Sequence, residues 1–257
     1  RSLNAPFLES QRYGRPNQEI SRTIEGQPIA TFWGWQANGL YQSQSEIDSD
    51  PGLTNDPRRE EGLILPGDVR FVDLDGNGQI DDRDRTVLGS PHPDVVYGLQ
   101  ASASYKGFDL TLFFIGEAGK DIYNADRMQG LDASYPFNLY DDVISRWNGP
   151  GTSNSIPRLT VDRNNLNHRT SDLFIEDGGF FRLKNLTIGY TLPNQYTSKV
   201  GIASARFYIT GQNVFTVTDY TGIDPELGYI GNNLQLGVDY AQYPQARTWI
   251  FGVTLDF

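Results

Sequence analysis

The chain has no cysteine, one methionine and two histidines in 257 residues. Without cysteine there is no disulfide framework and no thiolate metal site, and any compartment remains open. His92 and His168 are far apart and lack the spacing of a ligand pair. No run approaches the roughly 18 consecutive apolar residues of a membrane-spanning helix. No signal-peptide core follows Arg1, so an export signal is expected to be encoded elsewhere or trimmed. Cations are also scarce: 21 Lys and Arg face 32 Asp and Glu, a formal charge of −11. That balance argues against binding nucleic acid, or anionic headgroups, through a basic surface. GxSxG, P-loop and HExxH patterns are missing, so no catalytic residue is assigned and the chain is read as a non-enzyme.

What is present suits strands and turns: 27 glycines and 12% aromatics. Residues 248–257 read TWIFGVTLDF, with Trp249, Phe251, Val253, Leu255 and Phe257 on one face and Ile250, Gly252, Thr254 and Asp256 on the other. About ten residues with one wholly apolar face fit a transmembrane barrel strand, and a terminal Phe fits the address used for barrel insertion in the outer membrane. An edge strand of a soluble sandwich also fits. A mean hydropathy of −0.47 is no obstacle to a barrel, because only alternate residues meet lipid.

Five more strands are expected, at 31–42, 95–105, 108–116, 180–192 and 205–217. In 95–105, Val95, Tyr97, Leu99, Ala101, Ala103 and Tyr105 alternate with Val96, Gly98, Gln100, Ser102 and Ser104. The run 108–116 places Phe108, Leu110, Leu112 and Phe114 together, and 180–192 settles into Leu186, Ile188, Tyr190 and Leu192. In 205–217 the pattern blurs near Gly211, a candidate bulge. In 31–42, Trp33, Trp35 and Tyr41 share a face.

Connections alternate between short (106–107 and 193–204) and long (43–94, 117–179 and 218–247). Short periplasmic turns opposite long extracellular loops are the rhythm of an outer-membrane barrel. A β-rich soluble domain with helical insertions in 117–179 is the alternative. Six strands are fewer than the eight or so that close a barrel, and open edges are not tolerated in lipid. The fold expected is therefore all-β: an antiparallel transmembrane β-barrel of which this chain is a part. Its lumen side would carry Gln100, Ser102, Ser104, Asp109, Thr111, Thr187, Thr191 and Asp256.

The densest polar motif is DLDGNGQIDDRD, 73–84. Counted as a twelve-residue calcium loop, it offers oxygens at Asp73, Asp75, Asn77, the Gln79 carbonyl, Asp81 and Asp84, with Gly78 sixth and Ile80 eighth. Hard oxygen donors without His or Cys favour Ca2+, in a structural role. Two features depart from the motif: Asp rather than Glu stands twelfth, and an extended PGDVRFV precedes the loop instead of a helix. A solvated acidic turn is the alternative. Asp224, Glu226, Asp141 and Asp142 read as turn, cap or loop-packing residues. Loop aromatics (Tyr41, Tyr123, Tyr135, Phe137, Tyr140, Trp147, Tyr229, Tyr240 and Tyr243) fit loop core or an interfacial girdle, or stacking on a ligand or partner.

Blocks of sequence carry a resemblance: EGQPIATFWG (25–34), GLYQS (39–43), PGDVRFVDLDGNGQID (66–81) and 84–89, then YKGFDL (105–110) and FRLKNLTIGYTLP (181–193), then GQNVF (211–215), YTGIDPE (220–226) and YPQAR (243–247). In this order they resemble the carboxy-terminal part of SusC/RagA-type TonB-dependent outer-membrane transporters. The resemblance spans about residue 25 to Phe257 and is loose over 1–24, a stretch assigned only as a periplasmic connection. It implies that 1–257 is the last six strands of a barrel of about 22, with the amino-terminal plug domain and TonB box absent from this chain. It further implies uptake of oligosaccharides or peptides with a SusD-like surface lipoprotein, driven by the TonB complex through the missing amino-terminal part. The remaining contacts would be outer-membrane lipid and the remainder of the barrel. Two other classes fit the residues: a secreted calcium-stabilised β-domain that binds glycans, and a glycan-cleaving enzyme.

Overall fold

The computed structural model describes residues 19–162, 164–227 and 236–257, so Tyr229 and most of the 1–24 connection lie outside the described residues. The first strands are β1 (Ser21–Arg22), β2 (Thr31–Trp35), β3 (Ala37–Leu40), β4 (Val69–Phe71) and β5 (Arg85–Gly89). Two long strands follow, β6 (Val95–Tyr105) and β7 (Phe108–Ala118), then the short β8 (Asp121–Asn124) and β9 (Ile175–Asp177). The last are β10 (Phe180–Thr191), β11 (Ser204–Thr218), β12 (Val238–Asp239) and β13 (Thr248–Asp256). They fall into two compact units.

One unit, built from 93–120, 177–226 and 242–257, is a single antiparallel sheet ordered β13-β11-β10-β7-β6. These are five of the six expected strands. Strands β6 and β7 are joined by Lys106 and Gly107, both left-handed (φ 47° and 87°), as a two-residue type I′ hairpin requires. Register carries one apolar row across all five strands: Ala103, Leu110, Ile188, Ile209 and Phe251 are successive neighbours. Rings cluster at both ends of that face, with Tyr97, Phe114, Phe181 and Phe215 at one end and Tyr105, Phe108, Tyr190 and Phe207 at the other. Phe114 stacks on Phe181 at 5.2 Å, and Phe108 meets Tyr190 at 4.4 Å. Tyr97 and Tyr105 stand about 26 Å apart along β6 at about 3.3 Å per residue, near the height of the apolar band of an outer-membrane barrel.

The opposite face is mostly polar and carries every expected lumen residue, Gln100, Ser102, Ser104, Asp109, Thr111, Thr187, Thr191 and Asp256, with Phe113, Ile115, Tyr208 and Ile250 among them. Every residue of β6 is exposed, and every residue of β13 except Gly252. A sheet in water needs a packed layer over an apolar face. The clusters of buried apolar side chains found among the described residues lie in the other unit.

Strand β10 does not alternate evenly. Its register against β7 shifts between Leu183 and Asn185, which leaves Lys184 as an extra residue. Strict alternation from Tyr190, Ile188 and Leu186 would put Lys184 and Arg182 on the apolar face. The bulge reverses the phase, so Leu183 and Phe181 continue the apolar row and Arg182 turns to the polar side. On β11 the matching irregularity falls at Asn213 (φ 51°) and Val214, not at Gly211, which pairs regularly with Leu186 and Trp249.

On the polar face, Arg206 reaches across β10 to Asp109, with bonds of 2.9 and 2.6 Å. It passes over Gly189, where a Cβ would stand 2.4 Å from both partners. Gly189→Val is expected to cost about 1–3 kcal/mol by overpacking, read as a lower urea midpoint in detergent.

The other unit, 1–92, 121–176 and 227–241, holds the remaining expected strand as a correction. Residues 31–42 are not a wall strand but two short ones, β2 pairing with β1 and β5, and β3 pairing with β4. Charge explains the difference. Arg22 lies over the Trp33 ring at 4.6 Å, and Arg85 and Arg169 lie over Trp35, so these aromatics face guanidinium groups instead of lipid. Phe32 anchors one core with Ile20, Tyr123, Met128, Phe174 and Val238. Leu40 and Tyr41 enter a second with Ile47, Leu53, Ile64, Val69, Phe71 and Ile80. The long connections 43–94 and 117–179 are therefore packed structure in their own right.

Candidate functional site

Side chains bonding to their own loop shape the 73–84 segment. Asp73 accepts the Gly76 and Gly78 N–H groups at 2.8 Å each, Asp75 accepts Asn77 N–H at 3.0 Å, and Asn77 Oδ1 accepts Gln79 N–H at 2.8 Å. Asp84 is wholly buried and accepts N–H from Leu74 (2.8 Å) and Asp81 (2.7 Å). Carboxylate oxygens of Asp73, Asp75 and Asp84 come within 4.8 Å of one another. Asp81 is drawn elsewhere. It caps the short 3-10 turn Asp82–Asp84 and pairs with Arg83 at 2.8 Å, and that hydrogen bond holds its pKa below the ordinary carboxylate value. The loop thus gathers three of the four expected carboxylates. Asn77 and the Gln79 backbone lie along the same turn, where Asn55 holds the Asn77 and Gly78 carbonyls at 2.7 Å each.

The segment is pinned from below. Ile80 enters the core, its N–H bonded to buried Asp56, and Trp35 donates to the Asp81 carbonyl at 2.8 Å. Burial alone would raise the pKa of Asp56, but hydrogen bonds and charge from Arg58 outweigh it and the pKa is lowered. Arg169 is almost fully buried against Trp35 and Phe71. Burial pushes its pKa down to about 9, with repulsion from Arg58 adding to the fall while Asp56, Asp84 and Asp82 oppose it. It remains a cation at neutral pH. The sequence reading missed Asp56, Arg58 and Arg169. Only the D-P-R-R cap signal at 56–59 pointed to any of them.

A second polar cluster belongs to the sheet unit. Arg182, 2% exposed, holds Asp224 and Glu226 at 2.5 Å each and donates to Thr216 Oγ1 at 2.8 Å. Lys184 adds a bond to Glu226 at 2.9 Å, and Lys120 donates to the Pro225 carbonyl at 3.0 Å. Asp224 also accepts the N–H groups of Glu226 and Gln245, both at 2.9 Å. The Asp-Pro-Glu turn thus packs its connection as expected, but its cationic partners went unnoticed because Arg182 and Lys184 lie 42 residues upstream and Lys120 lies 105.

The loop aromatics divide. Tyr41, Tyr123 and Tyr135 are buried, and Trp147 donates to Gln42 at 3.1 Å. Tyr140 hydrogen-bonds Asp126, while Phe137 and Tyr243 are exposed. Asp142 lies 3.4 Å from Arg127.

Comparison with known proteins adds to this geometry. No family model matches the chain. TonB-dependent receptor P3 of Formosa agariphila is 36% identical over 239 residues, covering 91% of this chain and 22% of the receptor. TonB-dependent receptor SusC of Bacteroides thetaiotaomicron is 28% identical over 261 residues, covering 97% of the chain and 22% of SusC. Among solved structures, the RagAB peptide transporter superposes with a TM-score of 0.71 at 24% identity, over 95% of this chain and 24% of that one. The chain therefore spans less than a quarter of the length of the relatives it matches.

Proposed function

Because the chain belongs to the SusC/RagA-type TonB-dependent transporters of the outer membrane, we propose that it forms barrel wall and external loops of a nutrient importer. The observation that carries this reading is the five-stranded sheet with an apolar face between two aromatic girdles and a mostly polar face behind. One face meets lipid and the other lines an aqueous lumen. The two short turns lie at one end of the sheet and the long connections leave from the other. By that parity 43–94, 117–179 and 218–247 face outward.

The cargo we propose is an oligosaccharide or a peptide, captured with a SusD-like surface lipoprotein and moved at the expense of TonB. The transport chemistry is noncovalent, so no residue here is assigned a catalytic role. Extracting the native complex in detergent, measuring intact mass and mapping its peptides is the test. A species several times heavier than 28.8 kDa, carrying this sequence beside a lipoprotein, is expected. A lone chain that stays monodisperse without detergent would sink the proposal in favour of a secreted glycan-binding β-domain.

We also propose that the 73–84 loop holds Ca2+ through Asp73, Asp75 and Asp84, with Asn77 and the Gln79 carbonyl as further oxygen donors, and with Asp81 joining them only on release from Arg83. The donor set is hard and the three gathered carboxylates fit a divalent ion. The ion would stiffen an external loop. Millimolar Ca2+ is expected to slow proteolysis within 43–94 and EDTA to restore it. Asp75→Asn should weaken the ion's affinity on the order of tenfold, since ligand charge sets affinity in such loops. Identical digestion with and without Ca2+ would leave a solvated acidic turn.

A further inference from the structure

Buried cations of this chain meet carboxylates, with one exception. Arg182 holds Asp224 and Glu226, and Lys120 holds Glu117. Arg58 and Arg158, less deeply placed, hold Asp56 and Asp68. Arg169 is 3% exposed, yet among the described residues no carboxylate lies within ion-pair distance of it. Its Nε donates to the Leu166 carbonyl at 3.3 Å, while Nη2 is buried without a hydrogen-bond partner. Trp35 and Phe71 lie against the guanidinium with ring centres 4.8 and 4.4 Å away. Rings occupy the faces of the group, so its remaining N–H groups are offered at the edge of its plane. A buried charge left this way is costly.

Arg169 lines a cavity of about 10 Å³, counted as space for the centre of a water-sized sphere, with Arg58, Asn165, Ile64, Val69 and Phe71 among its other walls. That is room for one small particle. Of these walls only Arg58 is not buried, so it marks the way in. Ile64, Val69 and Phe71 belong to the second core, which places Nη2 inside packed structure and not at an edge of the chain. Asp56 already neutralises Arg58, which leaves one surplus positive charge for one monovalent anion. Water would satisfy an N–H group but leave that charge uncompensated, the larger cost in a core. Chloride is only slightly larger than water, whereas sulfate, phosphate and carboxylates are far too large. We propose that this cavity is a halide site, taking one chloride ion at Arg169 with Arg58 and the Asn165 amide beside it. The ion would tie 56–58 and Ile80, which pin the acidic loop, to 165–169 of the 117–179 connection. This goes beyond the transport reading and does not depend on it.

The test uses the intact transporter that carries this segment, in detergent and at constant Ca2+. Crystals grown in sodium bromide should show an anomalous peak beside Arg169. Cleavage within 43–94 should be slower in sodium chloride than in sodium gluconate of equal ionic strength. The difference should reach about tenfold at ten times the dissociation constant of the ion. Arg169→Met should abolish both the peak and the salt difference. If that variant does not insert, Val69→Ile serves in its place. It adds one methylene to the cavity wall, leaves every charge unchanged, and should abolish both signals too. Bromide found only elsewhere, a water at Nη2 in every salt, equal cleavage in chloride and gluconate, or halide protection that survives these substitutions would each overturn the site. None of these results touches the transporter reading, which stands or falls on detergent dependence and the mass of the native complex.

Discussion

Phe251→Arg is expected to cost about 2–4 kcal/mol of folded stability in a bilayer, the cost of a guanidinium on the lipid face near mid-depth. The adjoining Ile250→Arg should stay within about 0.5 kcal/mol, because its side chain points to the lumen side. Both residues are exposed on β13, one apolar neighbour from the next. In a soluble β-domain both would be surface substitutions, and both would be nearly silent. The asymmetry between two adjacent positions is thus a property of the surrounding lipid. It can be read by folding the intact barrel into vesicles over a urea series and scoring the heat-modifiable band. Equal effects at the two positions would contradict the assignment of faces.

Arg182→Met should be the other large effect, about 3 kcal/mol, at the low end of the range for removing one partner of a buried ion pair. The loss is moderated because Asp224 keeps two backbone N–H donors and Glu226 keeps Lys184. Proteolysis within 219–247 should accelerate in this variant ahead of global unfolding. Acid should act on the same contact. Burial alone would raise the pKa of Asp224, but the two N–H groups and Arg182 outweigh it, and its pKa is lowered in the folded chain. A lowered carboxylate contributes stability above its unfolded pKa of about 3.9 and loses it as pH falls through that value toward the folded one. Digestion of the wild type should therefore stay slow at neutral pH and quicken below about pH 4, and Arg182→Met should flatten that dependence. A variant that digests like the wild type across this range would show that the turn is held by something else.

Strands β6, β7 and β13 could be read from the chain because period-two alternation in one layer is a local property. Their faces follow from residue type alone. Residues 31–42 misled for the converse reason. Their tryptophans sit at strand spacing, but their neighbours are arginines at 22, 85 and 169, and no local pattern announces those contacts. The first residues of β10, Phe180–Lys184, were illegible because a bulge changes phase without changing composition. Gly211 drew attention as the flexible residue, whereas the irregular φ belongs to Asn213, a residue type that tolerates the left-handed region. In the acidic loop, Asp73, Asp75 and Asp84 meet as counting along the chain suggests. Asp81 turns away because a guanidinium two residues on competes for it.

The extra residue at Lys184 has a consequence for the alignment of the strands. In an evenly alternating sheet, sliding one strand by two residues preserves both faces, so the side-chain pattern alone leaves the stagger between strands undecided. A phase change partway along β10 removes that freedom, since a slip would bring Leu183 against the wrong half of β7. Stagger around a closed wall fixes strand tilt, and tilt with strand number fixes radius. The one extra residue on β10 would thereby act as an alignment mark, setting the curvature of this sector of the wall.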